Sequence, residues 1–91
     1  MNGFAITIAE NAGAGNGSDF SWPGGKAAFV AEGTWGGGNI KLQLKSHNGT
    51  YIDFPSGSIT ANNVLLLELP PGTYRYVITT STAVYARLSR I

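Results

Sequence analysis

Residues 68–91, ELPPGTYRYVITTSTAVYARLSRI, constrain the fold more than any other part of this chain. Two alternating runs, residues 73–79 and 83–90, flank a Thr/Ser turn, and Pro70, Pro71 and Gly72 form a corner ahead of the first. Successive side chains of a strand point to opposite faces, so strict alternation predicts strands. Two antiparallel strands are expected here. The second runs almost to the last residue, so a C-terminus pinned in a sheet is expected, with no tail or further domain after it.

Glycine and proline divide the remainder. Thirteen glycines and four prolines cut the chain into short runs, at the 8–12-residue spacing of a sandwich or barrel. Residues 3–9 place Phe4, Ile6 and Ile8 on one side and Ala5, Thr7 and Ala9 on the other. Residues 10–19, ENAGAGNGSD, have no periodicity and read as a flexible loop or tether. The chain is therefore expected to comprise an N-terminal strand arm with a Gly-rich tether (1–19) and a β-sandwich domain (20–91).

Within that domain, residues 26–32 put Ala27, Phe29 and Ala31 on one face. Residues 39–46 set Ile40, Leu42 and Leu44 inward against Lys41, Gln43 and Lys45. His47, Asn48 and Gly49 suit a tight hairpin turn, since Asn-Gly tolerates positive φ. A strand at 50–54 is expected to end at Pro55–Gly57, with a short strand at 58–61 and a turn at Asn62 and Asn63. Residues 64–69 are apolar on both faces, which predicts a central or covered strand. Seven or eight strands and no helix define an all-β chain, an antiparallel β-sandwich or jelly-roll-like barrel.

Composition excludes several functions. Ninety-one residues make one domain, and the absence of cysteine leaves neither disulfides nor thiolate ligands. Charged residues are 12% of the chain, against a usual ~25%, which suits a surface covered in an assembly better than a freely soluble monomer. The net charge is +1 and the six basic residues are dispersed, whereas nucleic-acid binding needs them clustered. No apolar run approaches the ~20 residues of a membrane helix. The N-terminus lacks a basic stretch and long apolar core, so no secretory signal is expected and synthesis in a cytoplasm is.

No catalytic constellation stands out. His47 is the one histidine, set in a Ser-His-Asn-Gly turn without the orienting partners that nucleophilic catalysis requires. The acids Glu10, Asp19, Glu32, Asp53 and Glu68 lie singly, with no spacing that pairs two of them across a scissile bond. Asn16 and Asp19 could offer oxygens to calcium, but a plain loop explains them as well. The runs at Gly13–Gly17 and Gly36–Gly38 open no helix, the context a phosphate cradle needs. The expectation is no enzymatic activity, no metal and no cofactor. Trp22 and Trp35 beside Gly-rich turns admit three roles: core edge, protein interface or sugar platform.

The segment FSWPGGKAAFVAEGTWGGGNIKLQLKS, the Asn-Gly hairpin and the closing ELPPGTYRYVITTSTAVYARLSRI together resemble small β-sandwich structural proteins of tailed bacteriophages. The resemblance spans about residues 20–91 and leaves 1–19 outside it. It implies a virion protein of the capsid-decoration, cement or head-fibre type, with the major capsid protein or another virion protein as partner and no catalytic residue. A homo-oligomer, a trimer above all, is implied as well. Low charge and short polar residues fit a protein repeated on a lattice, where many weak contacts add. Phe4, Ile6, Ile8, Trp22 and Trp35 are the expected oligomer or capsid interface. The arm is either the first strand of its own sandwich or a strand added to a neighbour, since its ten-residue tether reaches at most roughly 35 Å. A carbohydrate-binding module is the alternative function.

Overall fold

Nine strands form two antiparallel sheets in a computed structural model that describes residues 5–91. They are β1 (Ala5–Ala12), β2 (Gly15–Asn16), β3 (Phe20–Trp22), β4 (Gly25–Thr34), β5 (Asn39–Lys45), β6 (Tyr51–Ile59), β7 (Asn63–Leu69), β8 (Gly72–Thr79) and β9 (Thr82–Arg90). One sheet has the order β1-β9-β4-β7 and the other β2-β8-β5-β6, with β3 also paired to β8. The all-β antiparallel sandwich is therefore the observed architecture, and no described residue is helical.

Alternation dictates the core. Ala27, Phe29 and Ala31 of β4, Leu67 and Leu69 of β7, and Val84, Ala86 and Leu88 of β9 are buried from the four-stranded sheet. Ile40 and Leu42 of β5, Ile59 of β6, and Tyr74 and Ile78 of β8 meet them from the other. Fully burying one such aliphatic side chain contributes about 1.5–3 kcal/mol.

Every connection except β2 to β3 and β5 to β6 crosses from one sheet to the other. The two C-terminal strands are thus not a hairpin: β8 pairs with β2, β3 and β5, while β9 pairs with β1 and β4. Ser81 explains the crossing. Its side chain is fully buried, and its Oγ donates to Trp35 O at 2.9 Å, fixing the turn beneath the β4–β5 loop. Gly38 closes that loop through its N–H to Trp35 O at 2.7 Å, and a side chain there would strike Thr79 O and Ser81. At the other end of β8, Tyr74 is wholly buried and donates its hydroxyl to Pro70 O at 2.7 Å. This is a tyrosine corner, in which a buried ring anchors its own upstream crossing.

Several details depart from the alternation pattern. The β5–β6 hairpin is a type I turn, with Gly49 N–H donating to Ser46 O at 2.9 Å and Gly49 alone of the turn at positive φ, 88°. It is a three-residue loop with a glycine bulge rather than a two-residue primed turn. Pro55–Gly57 do not end a strand. They form a bulge within β6, where Gln43 pairs with Asp53 but Lys41 with Ser58, and Phe54 is thereby turned onto Tyr74, ring centroids 6.3 Å apart. Residues 64–69, expected in a covered position, belong to an edge strand with β4 as its one neighbour.

The boundary expected between residues 19 and 20 does not separate arm from body. β1 lies along β9 of its own chain, from Ala5 opposite Ser89 to Ala12 opposite Val84. β2, inside the expected tether, pairs with Ile78 and Val77 of β8. Ala9 is buried, and Ile6, Ile8 and Ala12 pack against the core. Deleting residues 1–12 should therefore strip the apolar inner edge of β9 and lower the melting temperature markedly, with loss of cooperativity followed by circular dichroism. A truncated protein that melts as sharply as the full chain would show β1 to be dispensable.

Tyr74→Phe removes the hydroxyl that donates to Pro70 O, at an expected cost of about 0.5–1.5 kcal/mol in denaturant unfolding. Burial also pushes the Tyr74 hydroxyl up to about 12, from an ordinary 10.0. A raised folded-state value means the contribution is intact below pH 10 and is lost as pH rises toward 12. The alkaline fall in stability should be shallower in Tyr74→Phe.

Candidate functional site

The two outer faces of the sandwich differ in kind. On the five-stranded sheet, β5 alternation sends Lys41, Gln43 and Lys45 outward, where β6, β8 and the β2–β3 connection supply partners. Lys41 Nζ lies 3.1 Å from Asp53 Oδ2, and Gln43 Nε2 donates to Asp53 Oδ1 at 2.9 Å. Arg75 Nε donates to Gln43 Oε1 at 2.8 Å, and its guanidinium stacks 3.6 Å from the Tyr51 ring centroid. Tyr51 in turn donates its hydroxyl to Asp19 at 2.7 Å, with Lys45 Nζ 3.5 Å from the same carboxylate. The Tyr51 hydroxyl holds the Asp19 carboxyl below its ordinary range, with Lys45 and Arg75 assisting. Tyr51 is raised for the same reason, because Asp19 opposes its ionisation. Gln43 and Lys41 likewise depress Asp53. All five charged side chains of this face have partners within it: Lys41 pairs with Asp53 and Lys45 with Asp19, while Arg75 is held by Gln43 and the Tyr51 ring.

The four-stranded face is open. Its outward side chains are Lys26, Ala28, Val30 and Glu32 of β4, Val64, Leu66 and Glu68 of β7, and Tyr85, Arg87 and Ser89 of β9, with Thr7 and Glu10 from β1. Among the described residues, Glu10, Lys26, Glu32, Glu68 and Arg87 make no ion pair or side-chain hydrogen bond, although Lys26 sits opposite Glu68 in register. Between them runs an apolar row in which Leu66 is 71% exposed, Val64 51% and Tyr85 44%. A shallow groove of about 640 Å³ follows, lined by Thr7, Glu10, Glu32, Val64, Tyr85 and Arg87 among others. Apolar side chains rimmed by unpaired charges characterise interaction surfaces. No three His, Asp, Glu or Cys side chains gather among the described residues.

The expected interface residues do not lie here. Trp22 is 1% exposed in the core, because β3 turns it inward beside β8, so it has no surface to offer a partner or a sugar. Trp35 is half-buried, and its Nε1 donates to Asn62 Oδ1 at 2.9 Å, an oxygen that also accepts Gly33 N–H at 3.0 Å. It fastens the β4–β5 loop to the β6–β7 turn, the core-edge role among its three. Ile6 and Ile8 pack inward, and Phe4 falls outside the described residues. His47 is exposed at the hairpin tip. The residues of the open face were missed. Their one signal was the apolar pattern on both faces of residues 64–69, which pointed to a covered strand.

The fold defines the chain as an antiparallel β-sandwich whose four-stranded face, among the described residues, is exposed, apolar and rimmed by charge. In architecture it is similar to the crystal structure of the SPBc2 prophage-derived protein YomS, with a TM-score of 0.73 and 15% sequence identity over 97% of this chain and 90% of that one. No family model and no curated protein matches the sequence.

Replacing Tyr51 with Phe removes the main support of the Asp19 carboxylate. Its titration midpoint, followed by carboxyl-carbon NMR, should move up toward the ordinary 3.8. Because the folded value is depressed, the wild-type latch is present above that pH and is lost as pH falls through the lower folded value. An unmoved Asp19 midpoint would mean that Lys45 and Arg75 hold it.

Proposed function

We propose that this protein is a non-enzymatic structural component of a tailed-phage virion, a capsid decoration or cement protein seated on the outer shell surface. The observation that carries this reading is the sandwich shared along nearly its whole length with a prophage-derived protein. The open four-stranded face supports it, as an apolar surface of the kind that meets another protein. The major capsid protein is the partner on this reading, nucleic acid and membrane are not, and the site of action is the virion after assembly in the host cytoplasm. No cofactor takes part. Adhesion arises from repetition, since copies fixed on a lattice need little affinity each.

The test is co-sedimentation with shells assembled without this protein. Wild-type protein should pellet saturably with them. Tyr85→Glu, on the exposed row, should weaken binding by about tenfold or more, equivalent to about 1.4 kcal/mol. His47→Ala, at the remote hairpin tip, should bind as wild type. Absence of binding to any shell, together with saturable binding to a glycan, would transfer the protein to the carbohydrate-binding class.

A further inference from the structure

The four-stranded sheet ends in β7, and β7 carries none of the devices that protect the other edges. Natural edge strands are kept short, bulged, or interrupted by proline or lysine. β2 and β3 have two and three residues. β6 carries Pro55 and a bulge with Ser56 at φ 61°. β1 has two register shifts and Asn11 at φ 50°. β7, sequence NVLLLEL, pairs with β4 through seven consecutive residues without a shift, and contains no Gly, Pro, Lys or Arg. Its composition is that of a strand flanked on both sides, yet it has one neighbour.

We propose that β7 pairs antiparallel with β7 of a second copy about a twofold axis at Leu66, joining two four-stranded sheets into one of eight strands. The hydrogen-bonding parity supports this register. Ile91 N–H donates to Lys26 O at 3.1 Å, so Lys26 turns its backbone polar groups toward β9, and those of its β7 partner Glu68 face away from β4. With a period of two, so do those of Leu66 and of Val64, whose N–H meets the Asn63 side chain at 2.8 Å in the single chain. An axis at Leu66, the midpoint of the strand, aligns Leu66 with Leu66 of the second copy. It sets Val64 against Glu68 and Leu65 against Leu67. No charge faces its own copy, and the most exposed large apolar side chain among the described residues packs on itself. The second copy is the occupant the chain itself specifies, because β7 is the one edge in the described structure that is long and regular enough to match β7. The contact is isologous and consumes the edge in both copies, so it closes as a dimer rather than growing into a fibre. This symmetry differs from the trimer that the phage resemblance implies.

The experiment needs no capsids and so stands apart from the functional reading. Analytical ultracentrifugation of the full chain should show a concentration-dependent dimer. Leu66→Lys places like charges directly opposite and should raise the dissociation constant by about tenfold or more, an effect equivalent to about 1.4 kcal/mol. Mixing Leu66→Lys with Leu66→Glu should restore dimers. The chain has no native cysteine, so Leu66→Cys reports the register. Directly opposed Cα atoms lie roughly 5.5 Å apart, within disulfide reach, and oxidation should cross-link this variant. Val64→Cys should not cross-link, its two copies being offset by four residues, roughly 13 Å. A monomer at all concentrations overturns the proposal. So does a dimer indifferent to Leu66→Lys, or one that cross-links through position 64 as readily as through 66.

Discussion

The burial of Tyr74 is the contact on which the rest of the sandwich depends. Its ring stacks on Phe20 at 6.1 Å and meets Phe54 edge-on at 6.3 Å, joining β3, β6 and β8 in one aromatic group. Its hydroxyl ties the same group to Pro70, where the chain crosses from β7 to β8. A sandwich in which most connections cross between sheets must fix where each crossing occurs. Otherwise a one-residue slip would turn a whole inner row to solvent. Tyr74 sets one crossing from within the core, and Ser81 beneath the Trp35 loop sets the next. Between them β8 is held at both ends, and it is the strand on which β2, β3 and β5 all assemble.

Much of the inner surface was legible in the sequence, because the period of two is a local property. The inward rows Ala27, Phe29, Ala31 and Ile40, Leu42 appear as the alternation predicts. Which strand lies beside which is not local. The Thr/Ser turn after Thr79 resembles a hairpin turn, and only the buried Ser81 hydroxyl, accepted by a carbonyl far away in sequence, shows that the chain changes sheets there. The Phe54 bulge was read as a strand end because Pro-Ser-Gly punctuates in either case. Trp22 was left between core edge, interface and sugar platform because it lies beside a Gly-rich turn, whereas its inward direction depends on pairing with β8.

The open face was less legible for a related reason. An exposed apolar residue differs from a buried one only by its neighbours, and the neighbours of Leu66 are set by topology. The low charge content acquires meaning once charges are placed in space. One face has its charged groups held in a network of ion pairs, hydrogen bonds and a ring contact, so a partner there would have to break contacts already made. The other holds charges of both signs that are free to answer a partner.

The pairing of Ala5 with Ser89 and of Ala12 with Val84 also has a temporal side. The strand made first has as its neighbour the strand made last among those described. At ribosomal rates of about 5–20 residues per second, β1 waits roughly 4–17 s for β9 to be synthesised. During that interval Ile6 and Ile8 have no sheet to join. The four-stranded layer is thus completed from its far end, and the outermost strand closes the sandwich like a clasp after translation has passed it.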